Sequence, residues 1–136
     1  MPQLSVAPYG EWVSSIAADM IVDETVGLSG ICCDGDDVYW SELRPTEKGR
    51  TVVCRRNASG EICDITPSNF NVRSRVHEYG GGAHTLHPAG GVVYTDFQTQ
   101  RLFWAKYSDA PAIPLTPEDG AHGWPDGQYR FADGQV

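Results

Sequence analysis

The chain has 136 residues with 18 acidic and 10 basic side chains, which gives a formal net charge of −8 at pH 7. Its 40% hydrophobic and 21% charged residues are typical of a folded domain and argue against disorder. The acidic balance argues against binding to nucleic acid or to an anionic membrane surface, since both require clustered cations, and no stretch is apolar enough to span a bilayer.

Residues 1–27 are predicted to form an N-terminal segment that contains one short helix. Pro8-Tyr9-Gly10 is typical of a turn, and Ser14 or Ser15 could cap a helix over residues 16–20. The first fifteen residues contain no basic residue and no apolar run. A secretory signal is therefore not indicated, and we expect a cytoplasmic protein.

Short strands separated by turns follow this segment. Four strands, closed by Thr66-Pro67, are predicted over residues 28–33, 37–43, 50–55 and 61–65. Asp34-Gly35-Asp36 is a strong turn signal, so the first two strands are expected to form a β-hairpin.

The same pattern then repeats. Four more strands, closed by Thr116-Pro117, are predicted over residues 83–87, 92–97, 101–107 and 113–115, and a third copy begins at 129–132 before a turn at Asp133-Gly134. Val38-Tyr39 recurs as Val93-Tyr94, 55 residues later, and the two Thr-Pro pairs lie 50 residues apart. Four-stranded repeats of about 40–50 residues are typical of β-propeller blades.

We therefore predict an all-β chain that forms the first two blades and the start of a third blade of a β-propeller, after the short helical segment. The expected boundaries are 28–82 for the first blade and its crossing, 83–128 for the second blade and 129–136 for the start of the third. Propellers close with roughly 4–8 blades, each buried against its neighbours. The chain is thus expected to be the N-terminal piece of a longer protein.

The segment over residues 71–82 is the most conspicuous for chemistry. Up to His77 it alternates, so Arg73, Arg75 and His77 are predicted to share one side of an extended chain. Two guanidinium groups and an imidazole could hold a carboxylate, which makes these three residues candidate substrate contacts. The favoured alternative is a solvated or salt-bridged face near acids such as Glu78, because surface ion pairs contribute little energy.

Gly80-Gly81-Gly82 allows two interpretations. Similar glycine-rich turns supply backbone amides to an oxyanion in esterases, but such a site needs a nucleophile, usually within Gly-x-Ser-x-Gly. The chain lacks that motif, since Gly27-Leu28-Ser29-Gly30 is followed by Ile31. We favour a tight crossing between blades, where the backbone approaches too closely for side chains. No catalytic residue is assigned.

No metal and no cofactor are predicted. His84 and His87 lie three apart, so on a strand they would point to opposite faces and would not converge on one ion. The chain has no phosphate-binding loop and no dinucleotide-binding glycine motif.

The cysteines and the aromatic residues are interpreted as structural. No C-x-x-C pair occurs, so the cysteines are expected to be reduced thiols in strands, namely Cys32, Cys33, Cys54 and Cys63. The aromatic residues that recur in both repeats are predicted to form the core, namely Tyr39, Trp40, Tyr94, Phe97, Phe103 and Trp104.

Several motifs resemble a known family. His77-Glu78-Tyr79-Gly80-Gly81-Gly82, within residues 70–83, is similar to the crossing between the first two blades of bacterial acylaminoacyl peptidase and dipeptidyl aminopeptidase homologues. These belong to the prolyl oligopeptidase family of serine peptidases. Residues 7–12, 36–40 and 129–133 are similar to the same homologues, so the resemblance spans nearly the whole chain.

The resemblance implies a parent in which an N-terminal β-propeller caps a C-terminal α/β-hydrolase domain. The catalytic serine, histidine and aspartate would lie in that domain, so none is carried over to this chain. The propeller would admit short peptides and exclude folded proteins, with no nucleic-acid or membrane partner. Two alternatives stay open: a non-catalytic propeller that binds proteins, and, least favoured, a complete small protein.

Overall fold

The computed structural model describes residues 6–12, 14, 16, 25–78, 80–118 and 129–135. The regular structure of these residues is almost entirely β, with eight strands in two four-stranded antiparallel sheets and one 3-10 turn at Pro45–Glu47. Each sheet pairs its strands in chain order, so each is a meander. The sequence therefore folds into local hairpins, as its turn signals predict.

The first sheet consists of β1 (Gly27–Asp34), β2 (Asp37–Arg44), β3 (Arg50–Arg56) and β4 (Ile62–Asp64). Asp34 pairs with Asp37, so β1 and β2 are joined by the two-residue turn Gly35-Asp36. Gly35 has a φ of 58°, which fits the first central position of a type II′ turn.

The second sheet consists of β5 (His84–Leu86), β6 (Val92–Thr95), β7 (Leu102–Ala105) and β8 (Ile113–Pro114). All eight strands predicted between residues 28 and 115 are present, with bounds that differ by at most two residues at either end. The strands of this sheet are shorter than those of the first.

One buried core joins the two sheets. Its members are fully or nearly fully buried and come from both sheets and the chain between them, namely Tyr39, Val53, Ile65, Val72, Val92, Tyr94, Phe103 and Ala105. Phe70 packs against this cluster, with its ring centroid 5.4 Å from that of Tyr94 in an edge-to-face arrangement. The sheets thus pack side by side and share their apolar contacts.

His84 of β5 makes the closest polar contact between the sheets. Its Nδ1 lies 3.0 Å from Ser41 Oγ, and its Nε2 lies 3.7 Å from Cys32 Sγ, both on the first sheet. A Cβ atom added at Gly30 would lie 2.7 Å from His84 Cε1, so glycine is required for this approach. Burial lowers the pKa of His84, although a hydrogen bond with the Gly30 backbone opposes the shift.

The aromatic core is smaller than predicted. Tyr39, Tyr94 and Phe103 are buried, but the other three predicted members are partly exposed. Trp40 donates from Nε1 to Glu42, and Trp104 donates from Nε1 to the Gly90 carbonyl, so each indole reaches a polar partner near the surface. Phe97, the remaining residue, lies under charged side chains that are described below.

Two further predictions differ from the structure. The N-terminal helix over residues 16–20 is not supported: it lies outside the described residues except for Ile16, and neither Ser14 nor Ile16 is helical. Residues 129–132, where the third copy was expected to begin, are not assigned to a strand. Within the described part of the chain, no helix is long and apolar enough to cross a membrane.

Candidate functional site

The segment between the two sheets is hydrogen-bonded to both of them. The Val72 amide donates to the Thr51 carbonyl of β3 at 2.9 Å, and the Arg73 amide donates to the Thr95 carbonyl of β6 at 3.1 Å. Val72 also forms an isolated bridge with Asp96. The backbone that carries the arginines is therefore held in place from two sides.

Gln100 fixes the next part of this segment. Its side chain is buried, with 5% of its surface exposed, and its Oε1 accepts a hydrogen bond from the Arg75 amide at 2.8 Å. Its Nε2 donates to the Phe97 carbonyl at 2.8 Å. One buried amide thus ties Arg75 to the turn that follows β6.

The side chains of residues 72–75 alternate as the sequence predicts, but the predicted alternation does not continue to His77. Val72 and Ser74 are each 2% exposed, whereas Arg73 and Arg75 are exposed. Successive side chains thus lie on opposite sides of this stretch, as in an extended chain. Residues 76–78 form a turn, in which Val76 is partly buried and both His77 and Glu78 are exposed.

Both arginines of the segment lie over one aromatic ring. The guanidinium carbon of Arg73 is 5.0 Å from the centroid of the Phe97 ring, and that of Arg75 is 4.4 Å away. These distances are within the range of cation–π attraction. The two positively charged guanidinium groups therefore both lie against the Phe97 ring.

A groove of about 370 Å³ opens at this place. It is lined by Arg73, Ser74, Arg75, Glu78, Phe97 and Arg130. His77 is not part of the lining, because it lies in the turn after Val76 with a left-handed backbone, φ 54°. The structure thus brings two of the three predicted contact residues together and leaves His77 apart.

Arg130 and Phe97 belong to the groove, although the sequence predicts neither of them as a contact residue. Arg130 is 55 residues from Arg75, and the alternation of residues 72–75 carries no information about a residue so distant in the chain. Phe97 follows an apolar run, which favours an interpretation as core. The pair of arginines at alternate positions was the only sequence signal for this site.

Most other arginines pair with acids. Ion pairs join Arg44 to Asp64, Glu42 and Glu47, Arg50 to Glu47, Arg55 to Asp37, and Arg101 to Glu118. The hydrogen bonds from Arg44 hold the pKa of Asp64 below its usual value. Among the described residues, Arg73 and Arg75 form no such pair.

Close packing explains two of the three glycines. The Gly82 amide donates to Asp133 Oδ1 at 2.9 Å, and the Asp133 amide donates to the Gly82 carbonyl at 2.7 Å. A Cβ atom would lie 2.8 Å from Ala132 Cβ if added at Gly81, and 2.8 Å from Asp133 Oδ1 if added at Gly82. The Gly82 amide is therefore satisfied by a carboxylate of the same chain, which favours the structural interpretation of this segment.

The histidines and cysteines occupy separate places. His87 stacks on Trp104 with ring centroids 4.5 Å apart, away from the contacts of His84. In the parts of the chain that the structure describes, no group of three or more His, Cys, Asp or Glu residues is placed to hold a metal ion. All four cysteines are free thiols in strands, and burial raises the pKa of Cys54 to about 12, so it is not a reactive thiolate.

Three solved structures are similar to this chain over most of its length. Puromycin hydrolase is 39% identical with a TM-score of 0.73, and the match covers 98% of this chain and 21% of that one. A puromycin-hydrolysing peptidase of Mycobacterium tuberculosis is 36% identical with a TM-score of 0.75, covering 86% and 18%. A puromycin hydrolase mutant complexed with PGG is 37% identical with a TM-score of 0.66, covering 84% and 18%.

The chain thus spans about a fifth of the length of these structures. No family model and no curated protein matches it.

Proposed function

Because the chain is similar to peptidases of the prolyl oligopeptidase family, we propose that it is the N-terminal β-propeller portion of a serine peptidase. The observation that carries this proposal is the 39% identity to puromycin hydrolase over 98% of the chain. A shared fold alone would not imply a shared function. Sequence identity of 39% over nearly the whole chain is stronger evidence, because it indicates common ancestry as well as a common fold.

The arrangement of the two sheets supports the propeller. Each sheet is a four-stranded meander, and the first strands of the two sheets, β1 and β5, approach each other through the contact of His84 with Cys32. Adjacent blades that share one core have this geometry. We assign residues 28–82 to the first blade with its crossing, 83–128 to the second and 129–136 to the start of a third.

In this proposal the propeller limits access to a C-terminal α/β-hydrolase domain. That domain would supply the serine nucleophile, the histidine base and the aspartate, none of which is assigned within residues 1–136. The solved structures are named for puromycin hydrolysis, and one of them is a complex with PGG. We propose that the substrates are short peptides and that folded proteins are excluded. A cytoplasmic location stays a prediction.

The test begins with the gene downstream of Val136. We expect further four-stranded repeats, then about 150 or more residues of alternating strands and helices with a Gly-x-Ser-x-Gly motif. The full-length protein should react with a fluorophosphonate probe and should hydrolyse short peptides while leaving an intact folded protein uncut.

A stop codon after further repeats, together with no labelling by the probe, would favour the non-catalytic binding module instead. Cleavage of the folded protein at a rate similar to that of the short peptides would contradict the limiting role of the propeller but leave the peptidase in place.

A further inference from the structure

We propose that the groove between Arg73, Arg75 and Arg130 binds the carboxylate at the C-terminal end of a short peptide. This inference rests on the proposed function, since it names the part of the substrate that the propeller would recognise. The sequence indicates only two neighbouring arginines. The structure adds the Phe97 ring, Arg130 and a backbone held by hydrogen bonds.

The first argument is the geometry of the two guanidinium groups. Both lie within 5.0 Å of the centroid of Phe97, so they are separated by less than a Debye length of about 10 Å and are not screened from each other. A guanidinium that contacts a ring still presents N–H groups to a carboxylate, which it can bind through two parallel hydrogen bonds. One carboxylate placed between Arg73 and Arg75 would reduce their mutual repulsion.

The second argument is charge. The chain has 18 acidic residues, yet within its described part neither Arg73 nor Arg75 has an acidic partner. Glu78 is the one acid among the residues that line the groove, and neither Arg73 nor Arg75 forms an ion pair with it. These two guanidinium groups therefore form a positively charged patch on an acidic molecule, and such a patch attracts anions.

The third argument is preorganisation. The Arg73 amide is bound to Thr95, the Arg75 amide to the buried Gln100, and the Phe97 carbonyl to the same Gln100 side chain. Groups that are fixed before binding lose less conformational entropy when the ligand arrives. The groove can therefore bind an anion without reordering its backbone.

The size and lining of the groove favour a peptide end over a free inorganic anion. About 370 Å³ is near the lower limit of ordinary small-ligand sites, and it exceeds the space that one carboxylate occupies. The Phe97 ring provides an apolar wall beside the charges. A terminal residue with its carboxylate fits this combination of charge and apolar surface.

Calorimetry on the full-length protein tests the proposal with two ligands, the tripeptide of D-alanine, which resists hydrolysis, and its C-terminal amide. We expect the acid to bind about tenfold more tightly than the amide, because only the acid makes charge-assisted hydrogen bonds. Arg75→Gln should remove this difference by weakening binding of the acid alone. Glu78→Gln should strengthen binding of the acid, because it removes the negative charge from the groove.

Arg56→Gln is the matched control, since Arg56 is exposed on β3 away from the groove and the change in charge is the same. It should leave the ratio of acid to amide binding unchanged. Equal binding of acid and amide by the wild type, or the same ratio in Arg75→Gln, would overturn the proposal. Inorganic phosphate that competes as strongly as the tripeptide would also overturn it, in favour of a general anion site.

Hydrolysis of L-alanine tripeptide is measured separately. If the acid binds more tightly than the amide but no hydrolysis is detected, the proposed peptidase function is refuted and carboxylate binding in the groove is retained. If the tripeptide is hydrolysed but acid and amide bind equally, carboxylate binding in the groove is refuted and the peptidase function is retained.

Discussion

Gly91 and Gly49 have nearly the same left-handed backbone, with φ of 77° and 74°, but their surroundings differ. A Cβ atom added at Gly91 would lie 2.6 Å from Lys106 Cα and would also contact the Ala105 carbonyl. Around Gly49 no atom lies within 4 Å of that position. One glycine is therefore required by conformation alone, and the other by conformation and by the close approach of β7.

This difference predicts the result of two matched substitutions. Gly49→Ala should lower the free energy of unfolding by about 1 kcal/mol, the cost of a left-handed alanine. Gly91→Ala should lower it by about 2 kcal/mol more, because the backbone at Ala105 and Lys106 must move. Urea denaturation of the full-length protein followed by circular dichroism measures both. Equal losses would show that the close contact at Gly91 does not exist.

The sequence could predict part of the site at this scale. Arg73 and Arg75 alternate with small or apolar residues, so their common orientation follows from the pattern. Both side chains contact Phe97 because the turn after β6 places that ring beside them, and Arg130 comes from a distant part of the sequence. Such contacts depend on tertiary packing, which a local sequence pattern does not predict.

At the scale of elements, the strands were predictable because turns separate them clearly. Gly35-Asp36 in the first sheet, and Gly90-Gly91 in the second, hold left-handed glycines where the sequence shows turn signals. Residues 129–132 have the composition of a strand but are not one. A strand needs a partner for its backbone hydrogen bonds, and composition alone does not provide it.

The contact between β1 and β5 predicts a dependence of stability on pH. Burial lowers the pKa of His84 in the folded protein below its ordinary value of 6.5, so the unfolded chain binds a proton more readily. Stability should therefore be full above about pH 6.5 and should be lost as the pH falls through the lowered pKa of the folded state.

Urea denaturation at about pH 7.5 and about pH 5.5 measures this dependence. His84→Gln should reduce it, whereas His87→Gln should not, because His87 stacks on Trp104 outside this contact. If His84→Gln retained the whole acid-side loss of stability, a different titrating group would be responsible.

At the scale of the whole molecule, large apolar side chains remain uncovered. Ile31 is 72% exposed and Leu28 66% exposed on β1, and Ile62, Ile113 and Leu115 are also exposed on or next to the last strands of the two sheets. Exposed apolar surface of this kind marks places where other structure packs. In the proposed propeller, the remaining blades would cover it.

We therefore expect residues 1–136, expressed alone, to bind a hydrophobic dye such as anilinonaphthalene sulfonate and to self-associate in size-exclusion chromatography. Unpaired strand edges and uncovered apolar faces favour association. The full-length protein is the control and should bind much less dye per residue. A monodisperse monomer of the short chain that binds no dye would contradict the prediction.

The resemblance to the prolyl oligopeptidase family was inferred from the motif at residues 77–82 and from the shorter motifs described with it. The solved structures confirm this resemblance. Those residues were informative because Gly81 and Gly82 permit a close crossing of the backbone.

The stretch of chain between the two sheets is hydrogen-bonded to both, and these bonds resist separation of the sheets. The amides of Val72 and Arg73 are bound to carbonyls of Thr51 and Thr95, one in each sheet. Pulling the sheets apart must break both bonds and expose Val72, which is 2% exposed. Thermal opening should thus involve both sheets in one cooperative event, and the joint between them acts as a stiff coupling, not as a hinge.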